Sequence, residues 1–408
     1  MLPTAPWYRL PATNALQNVV IIGGGLAGCH SAFELAKRGH HVTLCDANSE
    51  PAMGASGNNA GILKPFVTRA DSAADQFYQR AFHYVLSLLA SNPGLAKAAA
   101  FEPCGVLQLL ERSYPQRKGF TACSLQDASD IAGTTVDSEA IFFPDAGWLN
   151  PAALCKALLE HDNIETRWQC TARGLNKITD GWQIITENKG SFECQTLIIA
   201  NGYRLNQFDQ TSHLPIIPAK GQTSQFQLKG QHALNTVVTG KHYAIPTQAG
   251  VHVGATFVRG LTDQTMTKTG HHANRKGLQQ LLPAIETQTS VQSGFCGIRA
   301  TTPDRLPVIG PAPVLADYAS DYALIKHGLP LERFADARYH RNLYVIGGFG
   351  SRGIVTAAYA ATLLAQFLSG RSVGLSKQSD DHLDQWHTLC HPARFLVRAL
   401  KRGNSVFG

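Results

Sequence analysis

The sequence predicts an α/β fold that combines a parallel sheet, flanking helices and an inserted antiparallel sheet. Three observations indicate this fold. Residues 19–46 read as a strand, a helix and a second strand, which is a β-α-β unit. Short alternating segments occupy residues 215–295, as in an antiparallel sheet. Residues 342–368 then read as a buried strand and an Ala-rich helix, and this strand would add a parallel partner to the strands of the β-α-β segment.

The individual elements follow from hydrophobic patterns and helix breakers. A continuous apolar run predicts a buried strand at Val19–Ile22, followed by a helix over Leu26–Arg38. An apolar stripe at helical spacing predicts a long helix over Ser72–Ser91, and a proline begins another over Pro151–His161. We predict further strands at His41–Asp46, Val106–Leu110, Gly221–Leu228, Thr236–Val238, Tyr243–Pro246, Val251–Phe257 and Asn342–Gly347, a three-stranded excursion at Ile164–Trp168, Gly181–Thr186 and Phe192–Ala200, and a last helix over Ile354–Leu368.

Composition narrows the class of protein. The 408-residue chain is 44% hydrophobic and 16% charged, which excludes a disordered protein. Nine cysteines without C-x-x-C spacing favour reduced thiols in the cytoplasm over a disulfide framework or a zinc site. The adjacent histidine pairs at 40–41 and 271–272 lack metal-ligand spacing, so we expect no metal. We also expect no membrane span, because no apolar run reaches roughly 18 residues.

The motif Gly23-Gly24-Gly25-Leu26-Ala27-Gly28 follows a strand and begins a helix, the context of a Rossmann-type dinucleotide site. Gly23 permits the tight turn, Gly25 lets the backbone approach a pyrophosphate, and Gly28 permits close packing of helix on strand. Asp46 lies eighteen residues after Gly28, where its carboxylate can accept ribose hydroxyls. This predicts NAD or FAD; the alternative is a glycine-rich turn without a ligand.

Three further segments resemble the D-amino-acid oxidase-like flavoenzymes, the group that includes glycine and sarcosine oxidases. They are the loop 53–63, the strand end 196–202 with Asn201 where the group has Thr, and the turn 347–353. The resemblance implies a Rossmann-type FAD-binding domain with an inserted antiparallel-sheet substrate domain. It also implies FAD, held non-covalently because residues 347–353 contain no cysteine. The cofactor-binding positions it adds are Ser56, Asn58, Gly61, Gly202, Gly350, Ser351, Arg352 and Gly353.

Six blocks in order resemble, more narrowly, the FAD-dependent domain of the MnmC family of bacterial tRNA-modifying enzymes. The blocks are Ala55-Ser56-Gly57-Asn58, Ala200-Asn201-Gly202, Ala219-Lys220-Gly221-Gln222, Gly254-Ala255-Thr256, Gly297 to Pro307, and Gly350-Ser351-Arg352-Gly353. The resemblance implies oxidation of the carboxymethylaminomethyl group on the wobble uridine of tRNA, which releases glyoxylate and leaves an aminomethyl group. That family's best-known form also carries an N-terminal methyltransferase domain. Only eighteen residues precede the first strand here, so we expect the oxidoreductase step alone, with methylation by a separate protein or by a missing half of this one.

We expect the protein to be a monomer. The fold class and the motifs together predict how the chain divides into structural parts. The predicted parts are a first FAD-binding part at 1–90, a substrate-domain segment at 91–145, a second FAD-binding part at 146–214, the antiparallel substrate domain at 215–295, a last FAD-binding part at 296–385 and a basic tail at 386–408.

Two residues are candidates for substrate binding. Arg299 lies in a Gly-x-Arg block that, in the amino-acid oxidase group, anchors the substrate carboxylate, and a guanidinium fork suits that role. The alternative for Arg299 is a structural ion pair with Asp304. Tyr243 resembles the tyrosine that helps to hold the carboxylate in glycine oxidase, the alternative being a core or edge aromatic. Lys220 and Gln222 are cleft candidates without an assigned role, and Arg352 has a surface ion pair or a helix cap as its alternative.

The C-terminal segment Pro392–Arg402 predicts a basic amphipathic helix. Arg394, Arg398 and Lys401 share one face at helical spacing, where they could neutralise tRNA phosphates. The alternative is the solvated face of an ordinary helix. The net charge of +7 permits a polyanionic partner without establishing one.

Two rival functions remain open from the sequence. One is an oxidase or dehydrogenase of free glycine, sarcosine or D-amino acids, which would use the same Arg299 and the same flavin. The other is a flavin-binding scaffold without turnover.

Overall fold

The computed structural model describes residues 4–13, 16–67, 72–110, 119–229, 234–288, 290–370 and 386–406. The chain forms two compact units. As far as they are described, the first unit consists of Met1–Met53, Leu158–Ile217 and Ala300–Gly408, and the second of Gly54–Ala157 and Pro218–Arg299.

The elements are numbered in chain order. The strands are β1 Val19–Ile22, β2 Val42–Cys45, β3 Gly61–Leu63, β4 Val106–Leu109, β5 Thr121–Cys123, β6 Ala140–Phe143, β7 Gly147–Leu149, β8 Ile164–Arg167, β9 Ala172–Ile178, β10 Gly181–Thr186, β11 Ser191–Cys194, β12 Thr196–Ile199, β13 Ile217–Phe226, β14 Val237–Thr239, β15 Tyr243–Thr247, β16 Gly250–Gly254, β17 Val258–Arg259, β18 Ser293–Thr301, β19 Val308–Pro313 and β20 Tyr339–Gly347. The helices are α1 Leu26–Ala36, α2 Ala73–Ser91, α3 Pro93–Ala98, α4 Leu125–Ala132, α5 Pro151–Leu158, α6 Lys268–Leu281, α7 Leu315–Asp321, α8 Gly353–Ser369 and α9 Arg394–Lys401.

The first unit is built on a six-stranded sheet in the order β19-β20-β12-β1-β2-β8. β19 runs antiparallel to β20, and the other pairings are parallel. All four residues of β1 are buried, which explains its unbroken apolar sequence. Helices α1 and α8 pack against each other, and buried alanines on α8 permit the close approach. The predicted α/β class and the contribution of the late strand–helix pair to the first sheet are confirmed.

The predicted group of three strands at Ile164–Trp168, Gly181–Thr186 and Phe192–Ala200 is wrong for the first and the last strand. A three-stranded sheet exists in the order β11-β10-β9, but its outer strands are Ser191–Cys194 and Ala172–Ile178. Ile164–Arg167 instead pairs with β2 in the parallel sheet. The segment predicted as one strand over Phe192–Ala200 is two strands in different sheets, and Gln195 separates them. The break at Gln195 could not be predicted, because a local pattern does not reveal a change of pairing partner.

The second unit contains a nine-stranded sheet in the order β17-β13-β16-β15-β14-β4-β6-β5, with β18 paired to β13. Most of its pairings are antiparallel, and β14 with β4 is parallel. One face carries an apolar core that includes Leu107, Phe226 and Val253. The predicted inserted antiparallel sheet is confirmed in this unit.

Local chemistry sets several helix ends. Ser72 precedes α2, and its hydroxyl accepts the Asp75 backbone N–H at 3.2 Å while the Asp75 carboxylate accepts the Ser72 N–H. This is a capping box. Helix α8 ends at Gly370, whose φ of 59° is in the left-handed region.

The two units divide the chain at residues other than the predicted domain boundaries. Residues 54–90 and 146–157, which we assigned to the FAD-binding part, cluster with the second unit. Within that unit β3 pairs with β7, and this pairing ties the two segments to each other. Within the described residues no helix has both the length and the apolar character needed to cross a membrane.

Candidate cofactor and substrate sites

The glycine turn after β1 has the geometry that a dinucleotide site requires. Gly23 has a φ of +119°, which favours glycine, and its N–H donates to the Cys45 carbonyl at 2.7 Å. A Cβ at this position would lie 2.5 Å from the Ala200 carbonyl oxygen, at the end of β12. The turn is therefore tightly seated between the ends of two parallel strands.

Helix α1 begins at the end of this turn. Gly25 is its N-cap residue, and no side chain caps the helix there. A Cβ on Gly28 would lie 1.8 Å from the Gly23 carbonyl oxygen, so only glycine fits. Backbone N–H groups and the helix dipole at such a terminus attract a phosphate.

The Asp46 carboxylate lies at the same turn. One of its oxygens accepts the Gly24 N–H at 2.6 Å, and the other accepts the backbone and side-chain N–H groups of Asn48, each at 2.8 Å. These bonds fix the carboxylate at the end of β2. Remaining lone pairs are available for ribose hydroxyls, as the sequence predicts.

A second helix N-terminus lies next to the first. Gly350 has a φ of +57° and donates its N–H to the Ala300 carbonyl at 2.7 Å. Arg352 is the N-cap residue of α8, and its side chain does not cap the helix. A Cβ on Gly353 would lie 3.4 Å from Leu26 Cδ1, so the first turns of α1 and α8 adjoin. Ser351 is exposed on this turn.

Asn201 and Gly202 follow β12 in the same unit. Gly202 has a φ of +65° and begins a short 3-10 turn. Among the described residues, neither polar atom of the buried Asn201 side-chain amide has a hydrogen-bond partner. A buried amide without a partner is costly, so a ligand with polar groups fits beside it. The first unit thus brings together Gly23, Gly25, Gly28, Asp46, Gly202 and Gly350 to Gly353, and their cradle fits the phosphates and polar groups of FAD.

In the second unit, Arg299 extends from β18 and lies directly against Gly221 of β13. A Cβ on Gly221 would lie 2.1 Å from Arg299 Nη1. Nη1 donates to the Thr256 carbonyl at 3.4 Å, and the guanidinium carbon is 5.8 Å from the centre of the Phe257 ring. Burial lowers the pKa of the guanidinium, and Tyr243 and Cys296 oppose that shift. Among the described residues Arg299 has no carboxylate partner.

Tyr243 and Asn58 adjoin this arginine. A Cβ on Gly254 would lie 2.3 Å from the Tyr243 hydroxyl oxygen, so the ring lies over a glycine of the neighbouring strand β16. Burial raises the pKa of the Tyr243 hydroxyl, whereas the Arg299 charge and a side-chain hydrogen bond with Asn58 lower it. The Asn58 amide also donates to the Ala60 carbonyl at 2.5 Å. The structure therefore brings together the predicted residues Arg299, Tyr243 and Asn58.

The other predicted residues of this unit include Ser56, Gly61 and Lys220. Ser56 is half-buried on the loop before β3, and Gly61 is the buried first residue of β3. Lys220 is buried, and its ammonium pairs with the Asp263 carboxylate at 2.5 Å. Hydrogen bonds from Lys220 and Thr265 hold the pKa of Asp263 well below its usual range.

Sequence reasoning missed four contributors to the Arg299 surroundings. Gly221 and Gly254 leave the space that the guanidinium and the phenol occupy, while Thr256 and Phe257 contact the guanidinium. Gly221 and Gly254 stood within two of the quoted blocks but received no role. A glycine inside a strand marks the close approach of another group, and that signal was present in both cases.

Asp304, the alternative ion-pair partner for Arg299, has other partners within the first unit. Asp304 instead pairs with Arg394 at 2.9 Å and with Arg398 at 2.6 Å. The same contacts correct the predicted basic face of α9, because the Arg394 side chain is only 1% exposed. Arg394 is therefore a buried structural residue and has no role in binding phosphates. Within the described ranges, no group of three or more His, Cys, Asp or Glu side chains has an arrangement that could hold a metal ion.

Comparison with known proteins defines the class that this fold and these sites represent. The chain belongs to the DAO family of FAD-dependent oxidoreductases, whose family model matches residues 18–367. FAD is the cofactor of this family, and the glycine cradle of the first unit fits it.

The curated relatives are more specific. The tRNA 5-methylaminomethyl-2-thiouridine biosynthesis bifunctional protein MnmC of Hydrogenovibrio crunogenus is 30% identical over 98% of this chain and 62% of that protein. The protein of the same name from Aeromonas hydrophila is 31% identical, with the same coverage of 98% and 62%. This chain therefore spans less than two thirds of the length of these relatives.

Solved structures share the fold. Glycine oxidase from Geobacillus kaustophilus superimposes with a TM-score of 0.70 at 20% identity, over 88% of this chain and 96% of that one. Iminodiacetate oxidase from Chelativorans sp. BNC1 has a TM-score of 0.68 at 20% identity, over 89% and 98%. These similarities confirm the predicted D-amino-acid oxidase-like fold.

Proposed function

We propose that this protein oxidises the carboxymethylaminomethyl group on the wobble uridine of tRNA to an aminomethyl group and releases glyoxylate. This would be one step in the biosynthesis of 5-methylaminomethyl-2-thiouridine. The observation that carries the proposal is Arg299, a half-buried cation without a carboxylate partner among the described residues, in a chain of the FAD-dependent oxidoreductase family. The names of the 30% identical relatives support tRNA as the substrate.

On the substrate side, Arg299 binds the carboxylate of the glycine-like end through two parallel hydrogen bonds. The Tyr243 hydroxyl, oriented by Asn58, donates a further hydrogen bond to the same carboxylate. Holding the carboxylate at two residues fixes the adjacent CH₂ group, which is the carbon to be oxidised. The substrate nitrogen must be neutral, because its lone pair forms the new C=N bond.

When bound, FAD would supply the oxidation as the acceptor of a hydride from that CH₂ group. The nitrogen proton leaves to solvent, and water then adds to the C=N bond of the substrate. Hydrolysis breaks the carbon–nitrogen bond and yields glyoxylate and the primary amine.

In the first unit, the Gly23–Gly28 turn with Asp46 would hold the pyrophosphate and ribose of FAD, and Gly202 and Gly350–Gly353 would contact its flavin end. Ser56, Asn58 and Gly61, in the second unit, are also proposed cofactor-binding residues. We propose a non-covalent link, a monomer in the cytoplasm, and a methyltransferase that acts on the aminomethyl product.

An oxidase of free glycine, sarcosine or D-amino acids is the second candidate, since Arg299 and Tyr243 would bind a free amino-acid carboxylate equally well. Anaerobic flavin bleaching separates the two functions. Purified protein is mixed with undermodified tRNA that carries the carboxymethylaminomethyl group, with fully modified tRNA as the control, and with glycine or sarcosine. We expect rapid loss of oxidised-flavin absorbance with the undermodified tRNA alone, together with stoichiometric glyoxylate.

Two results would contradict the proposal. Rapid bleaching by a free amino acid and none by tRNA would leave an amino-acid oxidase. Absence of bleaching by every candidate, in protein that carries its flavin, would favour a scaffold without turnover.

A further inference from the structure

The segment Phe257–Met266, between β16 and α6, presents an apolar surface to solvent. Four of the eight exposed large hydrophobic side chains in the described part of the chain lie there: Phe257 (49% exposed), Val258 (45%), Leu261 (46%) and Met266 (47%). Scattered exposed apolar residues are ordinary, but four of them within one ten-residue segment indicate a surface that a ligand covers.

The backbone of this segment is fixed at both ends. β17 pairs with β13, with Val258 opposite Lys220, and the Gly260 N–H donates to the Pro218 carbonyl at 2.8 Å. At the other end, the Gln222 amide accepts the Thr267 N–H at 2.8 Å and donates to the Thr267 carbonyl at 2.9 Å. The apolar side chains are therefore held outward on an anchored segment, which reduces the entropic cost of binding.

This apolar segment adjoins the candidate carboxylate anchor. The Phe257 ring centre is 5.8 Å from the Arg299 guanidinium carbon, and the preceding residue, Thr256, accepts a hydrogen bond from Arg299. A substrate whose carboxylate reaches Arg299 thus has Phe257 as a neighbour. The atoms beyond its amine then meet an exposed aromatic ring.

Charge favours a polyanionic occupant. Arg259 and Lys268 are exposed in and beside the segment. The single acidic residue between 257 and 268 is Asp263, and its carboxylate already pairs with Lys220. Aromatic rings interleaved with basic side chains are the surface that unpaired nucleotides bind, by stacking and by phosphate contacts.

We propose that Phe257 stacks on an unpaired base of a tRNA loop while Arg299 holds the carboxylate of the modified group. Val258, Leu261 and Met266 contact the neighbouring nucleosides, and Arg259 and Lys268 contact their phosphates. This inference rests on the proposed function and adds to it the surface that selects a nucleic-acid substrate over a free amino acid.

The test compares Phe257→Ala and Phe257→Trp with Leu125→Ala, a control of the same exposure (49%) in the same unit. Two quantities are measured: binding of an RNA hairpin with the anticodon-loop sequence, and anaerobic flavin reduction by undermodified tRNA. We expect Phe257→Ala to weaken both about 5- to 150-fold, the range for loss of one stacked base. Phe257→Trp should retain them and show tryptophan quenching on RNA addition beyond that of the five native tryptophans, and Leu125→Ala should leave both unchanged.

The outcomes separate this inference from the proposed function. If tRNA reduces the wild-type flavin, and Phe257→Ala matches the wild type in both RNA binding and flavin reduction, the stacking role of Phe257 is wrong and the proposed function stands. If tRNA does not reduce the wild-type flavin, both fail. Sedimentation of the same variants tests a second copy as the occupant: a dimer that Phe257→Ala dissociates, without an effect on RNA binding, would overturn the inference.

Discussion

Gly221 lies directly against the guanidinium of Arg299, at a distance that leaves no room for a methyl group. A Cβ on residue 221 would lie 2.1 Å from Nη1 and 2.4 Å from the guanidinium carbon. The obstructing atoms belong to the far end of a flexible side chain, so the fold can accommodate the methyl group if the guanidinium moves. The position of Arg299 thus depends on a glycine that is 78 residues earlier in the chain.

Gly221→Ala should therefore raise KM and leave the fold intact. A displaced guanidinium loses at least one charged hydrogen bond to the substrate carboxylate, which costs about 1.5–3 kcal/mol, or roughly a 10- to 150-fold increase in KM. Steady-state kinetics with the tRNA substrate measure the change, and circular dichroism checks the fold. Gly174→Ala is the control, since its Cβ would meet nothing closer than Ile185 at 3.8 Å. An unchanged KM would show that Arg299 does not hold the substrate.

Gly28→Ala should abolish flavin retention. Its Cβ would lie 1.8 Å from the backbone oxygen of Gly23, which cannot move without opening the turn that cradles the phosphates. We expect purified Gly28→Ala to lack the oxidised-flavin absorbance and to lose about 1–3 kcal/mol of stability from overpacking. Gly94→Ala is a matched helical control, because nothing lies within 4 Å of its Cβ and it should gain about 0.5–1 kcal/mol. Normal flavin content in Gly28→Ala would place the cofactor elsewhere.

Asp304→Asn should destabilise the first unit strongly. The Arg394 side chain is 1% exposed and pairs with Asp304, so the substitution leaves a buried cation without its partner charge. Such a loss costs about 3–5 kcal/mol. Arg398→Ala removes the exposed partner of the same carboxylate and should cost only about 0–1 kcal/mol. Urea unfolding at pH 7 measures both, and equal effects would show that burial does not distinguish the two arginines.

The same pair predicts a response to acid. Burial alone would raise the pKa of Asp304, but the hydrogen bonds and charges of Arg394 and Arg398 lower it to about 2. A carboxyl with a depressed pKa contributes stability that is present above its unfolded pKa, about 3.9, and is lost as the pH falls towards 2. The stability difference between wild type and Asp304→Asn should therefore shrink between about pH 4 and pH 2. A difference that is constant across this range would contradict the ion pair.

The sequence was sufficient for features whose signal is local. Val19–Ile22 and its glycine turn were predicted residue by residue, because a buried strand and a left-handed turn each leave a pattern in adjacent residues. Arg299 was selected from its Gly-x-Arg block and Tyr243 from its resemblance to the glycine oxidase tyrosine, and the structure places them together.

What the sequence could not supply depends on partners far along the chain. The basic face of α9 contains Arg394 and Arg398 at regular spacing. No pattern in the neighbouring sequence shows that Arg394 is buried and pairs with Asp304, which lies 90 residues earlier. The strand at Ala172–Ile178 was missed because its exposed alternating residues resemble a loop until β10 pairs with it. The space that Gly221 and Gly254 provide likewise depends on side chains from other strands.

His30 on α1 predicts a second dependence of stability on pH. It is 1% exposed, and neither ring nitrogen has a hydrogen-bond partner among the described residues. Burial lowers its pKa to about 4, with Glu34 opposing the shift and Lys37 adding to it. As the pH falls from about 6.5 towards 4, the unfolded chain binds a proton that the folded chain does not, so the folded state loses stability.

His30→Leu should remove this contribution while it keeps the site filled by an apolar side chain. Relative to its own value at pH 7, the variant should retain about 2 kcal/mol more stability at pH 5 than the wild type does. Free energies of unfolding in urea at the two pH values give the comparison. His327→Leu, at an exposed position, is the control and should follow the wild type. If His30→Leu and the wild type have the same pH dependence, the pKa of His30 does not differ between the folded and unfolded states. The buried ring would then accept a proton in the folded protein, which contradicts the prediction.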